Sequence, residues 1–374
     1  MFEIWHDNDF DLAHWLYLNS NLKNERVRLR QIPKTNSPGD LLKHLKSDVD
    51  LCVLKAIKYE TPDIVLIKTD RNGNSSVELV IEFMTHVPQH HHPLQRYTRI
   101  YGAAWQGIPS ILVIPQKKEK LEKGNKDSYK PTMYKANPLI YHLFIKTSEI
   151  TGTPTLLMMW PEKNGYLKYD KTHPTAPRIE GDIAELLNLV NKVLRSEELG
   201  TLTEAHLLKQ KKLSDYSANG NTYKLTTGEV IQSSELVNRF KKFLNEKLKN
   251  SLLERKETYL FSPNGLKKEF RTDPYAGMTC AFDVLFCRDN FGNRYRNMVL
   301  KATNVPSEGS KSPTLKNGNH DEGKCPFLNA STLAETKKHF LGFCPYTERK
   351  QQRIYGEIPD AVIFDDGVVY VPRY

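Results

Sequence analysis

The strongest constraint on this chain is a pair of β-branched runs joined by a cluster of turn formers. Ile64-Val65-Leu66-Ile67 leads to Asp70-Arg71-Asn72-Gly73-Asn74, and Val77-Glu78-Leu79-Val80-Ile81-Glu82-Phe83-Met84 follows. Val and Ile favour a pleated surface, and an Asn-Gly pair supplies the positive φ of a tight reversal, so the spacing predicts an antiparallel hairpin. Strand side chains alternate faces, which puts Glu78, Glu82 and Met84 on one side of the second strand. If Asp63, at the head of the first strand, points the same way, two carboxylates converge. Acidic oxygens held on rigid strands bind a hard divalent cation such as Mg2+.

The next stretch, 92–107, reads as a helix with Gln95, Arg96, Arg99 and Gln106 on a polar and basic side. Leu94, Tyr97, Tyr101, Ala104 and Trp105 form much of its apolar side. Residues 108–115 are a short apolar run suited to a buried strand. With Pro62-Asp63 as PD and Glu82-Phe83-Met84 as (D/E)-X-K, the chain resembles the PD-(D/E)XK nuclease superfamily, which includes many restriction endonucleases. Strand, strand, helix, strand is the order of that family's common core, and the resemblance covers roughly residues 40 to 160.

The resemblance implies an α/β, restriction-endonuclease-like core, a mixed sheet flanked by helices, in a type II restriction endonuclease acting on double-stranded DNA. A cytoplasmic protein is the simplest reading of a sequence that shows no signal segment, no membrane run and no disulfide pattern. It implies that Asp63 and Glu82 hold Mg2+, with position 84 assisting the attacking water and Gln95 and Arg96 beside the site or the DNA backbone. Arg99 is a further candidate for DNA contact, and so is His86, which shares a face with Glu82 if the strand continues. Asp48, Asp50 and Glu60 are candidates for a supporting carboxylate. Cutting both strands needs two active sites, so one site per chain implies a homodimer.

Met84 departs from the family pattern, because a thioether has neither the charge nor the proton of the usual Lys. Three readings stay open: a Lys-to-Met change that leaves an inactive protein, a relocated base at Lys68, Lys58 or His86, or a natural pseudo-nuclease that binds without cutting. A repair or phage nuclease of the same superfamily is a further alternative.

The net charge of +10 favours a polyanionic partner without proving one. No basic segment followed by an apolar one opens the chain, and no apolar run reaches the length of about 18 residues that a membrane helix needs. With 374 residues, one large or two medium domains are expected. We expect a catalytic domain over 1–198, a polar linker over 199–232 and a second, α+β recognition domain over 233–374, opened by a helix from Ser234 to Leu248.

Within that second domain, Asp283-Val284-Leu285-Phe286, the turn Asp289–Asn293 and the run Met298–Pro306 run parallel to Asp63–Pro88. They read either as a degenerate repeat lacking the ligands or as another hairpin with a common turn. Pro359-Asp360 opens a closing hairpin. Cys280, Cys287, Cys325 and Cys344 match no tight C-x-x-C knuckle and read as small buried thiols. His90-His91-His92 reads as a polar turn, Gln116–Lys130 as a charged insertion, and Glu308–Lys324 as a loop.

Overall fold

The turn predicted between the two β-branched runs forms as its residues dictate. Asp70 Oδ1 accepts from the backbone N–H of Asn72 (2.8 Å) and of Asn74 (2.9 Å), and Gly73 takes φ +86°, a left-handed value that glycine adopts without strain. The structure, a computed structural model, describes residues 1–7, 9–32, 52–53, 56–84, 92–116, 118–120, 129–131, 138–161, 182–220, 228–261, 272–302, 354, 357–364 and 369–370. The chain is α/β, with mixed sheets flanked by helices. It divides into two compact units, Met1–Pro33 with Lys43–Tyr223, and Lys34–Leu42 with Lys224–Tyr374.

The first unit begins with β1 (Phe2–His6), α1 (Phe10–Asn19), a 3-10 turn (Asn21–Asn24) and β2 (Val27–Gln31). The hairpin follows as β3 (Ile64–Thr69) and β4 (Ser75–Phe83), with a register shift that leaves Glu78 unpaired. The helix expected over 92–107 is two short helices, α2 (His92–Arg96) and α3 (Thr98–Ala104), and Gly107 at φ +76° ends the segment. Next come β5 (Ser110–Gln116), a ribbon of β6 (Lys118–Lys120) with β7 (Tyr129–Pro131), α4 (Pro138–Thr151), β8 (Thr155–Pro161) and α5 (Asp182–Leu194).

The main sheet has the order β2-β1-β3-β4-β5-β8. β3 lies antiparallel to β1 and β4, while β4, β5 and β8 run parallel. Leu79, Ile81 and Phe83 of β4 bury one face against α1 and α5, with Trp15, Leu16, Leu186 and Val190 in the same core. Alternation therefore turns Val80, Glu82 and Met84 to the opposite face.

The stretch 199–232, expected as a linker, instead carries α6 (Gly200–Gly220), a helix that continues through the small and polar residues Ser217–Gly220. Its sequence lacks the amphipathic period of a surface helix because it is held by polar contacts to the sheet edge as well as by Leu202 and Leu207 on the core.

The second unit holds β9 (Gly228–Gln232), α7 (Ser233–Phe240), α8 (Glu246–Leu253), β10 (Glu257–Phe261), α9 (Thr272–Phe282), a π-helical turn (Asp283–Cys287), β11 (Arg296–Ala302), β12 (Ala361–Phe364) and β13 (Val369–Tyr370). The helix expected over 234–248 is therefore two helices, α8 being capped by Asn245 Oδ1 on Leu248 N–H (2.9 Å). The sheet order is β13-β12-β11-β10-β9, with β10, β11 and β12 parallel, which corrects the α+β expectation.

The expected second hairpin arm is also absent. Asp283–Cys287 prolong α9 as the π-turn, because the Asp283 carboxylate is held inside by Arg288 Nε (2.6 Å) and Arg294 Nη2 (2.7 Å). The turn itself is reproduced: Asp289 Oδ1 accepts from Phe291 N–H and Asn293 N–H, both at 2.8 Å, and Gly292 has φ +82°. β12 and β13 form the closing antiparallel pair expected after Pro359-Asp360.

Ile81 lies at the centre of the first core with no exposed surface. Ile81→Ala is expected to lower unfolding free energy by about 2–5 kcal/mol through lost burial and a residual cavity. Urea denaturation followed by circular dichroism checks this, and an unchanged midpoint contradicts it.

Candidate active site

Asp63 stands one residue before β3, and Glu82 lies near the end of β4, so the antiparallel hairpin brings both to the same end of the two central strands. Each clasps the other strand's backbone. Asp63 Oδ2 accepts from Phe83 N–H (2.7 Å), and Glu82 Oε2 accepts from Asp63 N–H (3.1 Å). Asp63 Oδ1 and Glu82 Oε1 are the oxygens that this clasp leaves over. Arg99 Nη1 lies 2.7 Å from Glu82 Oε1 and 3.8 Å from Asp63 Oδ1, while its Nε donates to Glu60 Oε1 (3.0 Å). Thr98 Oγ1 donates to the other Glu60 oxygen, and Arg96 Nη1 adds a second cation at 3.1 Å from Glu82 Oε1.

Burial dominates the electrostatics. It pushes Glu82 well above the usual carboxylate range, Arg99 pulls it back and the Asp63 charge pushes it further up. Asp63 is likewise raised by burial, against the pull of Arg99. Burial alone would weaken the Arg99 charge, but Glu82, Glu60 and Asp63 together outweigh it and hold the group well above its ordinary value. The site is thus an acidic pair kept folded by internal arginines. Hard carboxylate oxygens grouped around a cationic centre suit a cation such as Mg2+, which takes one or two carboxylates and keeps several waters.

The other candidates separate clearly. Glu60 joins the site; Asp48, Asp50 and His86 lie outside the described residues, as do Cys325 and Cys344. Gln95 is half-buried on α2, and its carbonyl accepts from Thr98 Oγ1 (3.3 Å). Met84 is 3% exposed, and its N–H donates to Val113 O (2.8 Å). Arg96 is 35% exposed and Arg99 17%, so Arg96 offers the more open charge. Lys68 donates to Ser196 Oγ (2.6 Å) five residues along β3, about 16 Å of strand from Asp63, too far to replace a base at position 84. Lys58 lies over the Tyr59 ring at 4.8 Å. Cys280 and Cys287 are buried thiols in no disulfide, as expected, and burial pushes the Cys287 thiol up, away from reactivity.

A second cluster, not expected from the sequence, lies beside β8. Asp182, Glu185 and His206 have ligand-type atoms within 4.8 Å of one another. Their backbone contacts explain the grouping: β8 is an edge strand, and its outward groups need partners. Met159 N–H donates to Asp182 Oδ2 (2.7 Å), and the Leu157 carbonyl accepts from Gln210 Nε2 (2.9 Å) with His206 Nε2 at the same distance. Lys209 sits between Asp182 and Glu185, so the cluster already contains a cation. The i, i+3 spacings of Asp182 with Glu185 and of His206 with Lys209 were the available signal, hidden by reading 199–232 as a linker.

Searched against family models, curated proteins and solved structures, the chain finds no match. Among the described residues, no helix is long and apolar enough to cross a membrane.

The Glu185–His206 contact carries a pH signature. Its hydrogen bond to His206 depresses the Glu185 carboxyl from 4.5 to about 2, so the folded state holds the proton less tightly than the unfolded chain. The stabilisation is complete above pH 4.5 and fades as the pH falls toward about 2. Glu185→Gln is expected to lower the urea midpoint at about pH 6, by an amount that shrinks at about pH 3. Parallel unfolding curves at the two values check it; an equal difference at both contradicts the assignment.

Proposed function

We propose that the first unit is the catalytic part of a Mg2+-dependent endonuclease that hydrolyses phosphodiester bonds of double-stranded DNA, of the type II restriction kind suggested by Pro62-Asp63 and Glu82-Phe83-Met84. One observation carries the reading: two carboxylates, clasped to each other's strands, present one oxygen each to a shared cation position beside a half-exposed arginine. Asp63 Oδ1 and Glu82 Oε1 would hold the ion. When bound, Mg2+ acidifies a water and offsets charge on the scissile phosphate.

The chain's own residues do the rest. The clasp fixes the two oxygens on rigid strands, which keeps them oriented without cost at the moment of reaction. Arg96, the more open cation, is placed to meet a phosphate oxygen with a directional guanidinium bond. Recognition of sequence falls to the second unit, and a homodimer working in the cytoplasm supplies the second cut. The buried thioether of Met84 neither moves a proton nor carries charge, which favours a second reading: a module that binds DNA and does not cut it.

Plasmid incubated with Mg2+ separates the readings. Met84→Lys is expected to give discrete, site-specific fragments, and adding Asp63→Ala to abolish them. Cutting by the unaltered chain means another group serves for Lys. Preference for ends or branches selects a repair-type nuclease, and DNA binding without cleavage by any version selects the binding module.

A further inference from the structure

Among the described residues, three ionic clusters of three or more groups are built on a buried carboxylate, and two of them close on themselves. In the second unit, Asp283, Arg288, Arg294 and Asp360 pair with one another and with the backbone; at the edge of β8, Lys209 and His206 answer Asp182 and Glu185. In the cluster around Asp63 and Glu82, carboxylates outnumber cations. Three carboxylates, Glu60, Asp63 and Glu82, face two arginines, and one of these, Arg99, reaches all three.

We propose that Arg99 is the built-in counter-cation of this site: its guanidinium stands where a divalent ion would be held, and an ion binds by displacing it. This rests on the metal reading above and adds what controls entry. Backbone N–H groups occupy Asp63 Oδ2 and Glu82 Oε2, so an ion has Asp63 Oδ1 and Glu82 Oε1 to use, and both already face Arg99 Nη1. Nε on Glu60 Oε1 anchors the same guanidinium from the far side.

Charge points the same way. Counted with every group ionised, three carboxylates and two arginines sum to −1, and adding a divalent ion without displacement would crowd three cationic groups beside fully buried Glu82. Displacement removes that repulsion. Arg99 is able to leave, since it lies in the first turn of α3, remains 17% exposed, and has a long stem that can carry its head to water. Arg96 contacts Glu82 alone and is 35% exposed, so it competes less. A purely structural arginine makes the opposite demand: its removal would leave the carboxylates misplaced and weaken ion binding.

The test is calorimetric titration of the full chain with Mn2+ and with Mg2+, in the absence of DNA. Arg99→Met is expected to raise ion affinity about tenfold or more, because one positive charge leaves the immediate shell. Its melting temperature without metal should fall below that of the unaltered chain and recover more on adding Mn2+. Arg99→Lys, which keeps the charge but loses the fork that spans several carboxylates, should gain a few-fold in the same direction. It carries the test if Arg99→Met does not fold. Glu82→Gln in either background should remove the binding.

Unchanged or weaker affinity in both Arg99 variants, with binding to the unaltered chain lost on Glu82→Gln, overturns the counter-cation and leaves the metal reading standing. No ion binding by any of these chains overturns both.

Discussion

A carboxylate with no exposed surface, Glu82, is tolerated between strand and helix because a guanidinium meets it at 2.7 Å, and that one pair ties together most of the candidate site. An unpaired buried charge is too costly to keep, so the fold must deliver Arg99 wherever it delivers Glu82. The same arginine holds Glu60, which precedes β3, and Glu82 in turn holds the backbone of Asp63. Four pieces of chain are thereby fixed by one cation: the segment before β3, the two hairpin arms and α3. Breaking such a pair by removing one partner costs about 3–5 kcal/mol, several times a surface ion pair.

The hairpin was legible because its signals are local. β-branched runs, an Asn-Gly turn and strict alternation specify β3, β4 and the faces of Glu82 and Met84 without reference to the rest of the chain. β5 was legible too, as a short apolar run of strand length. The basic side of residues 92–107 also pointed to the arginines that reach the site, although the break between α2 and α3 did not show.

What stayed hidden depended on partners distant in sequence. Residues 200–220 look like a linker by composition, and become a helix because Leu157 at the sheet edge needs donors that His206 and Gln210 supply. Asp283 resembles Asp63 in its flanking letters, yet Arg288 and Arg294 draw it into a π-turn, and β11 takes β10 as its partner instead of a hairpin arm. The shared turn was real; the topology inferred from it was not. Glu60 could be named as a candidate but not chosen, since nothing local to it foretells Arg99.

The Asp70–Asn74 turn also orders assembly in time. β3 and β4 are joined by a five-residue reversal, so their pairing closes a very short loop, while β1 must find β3 across about sixty residues. Hairpins of this kind form in about 1–10 μs, before pairings of longer range. The two carboxylates are therefore neighbours while water still surrounds them, and their mutual repulsion is then cheap. The arginines arrive with the helices, when the site closes and the charge has to be answered. The hairpin thus makes the acidic pair a precursor of the fold, and α3 the element that completes it.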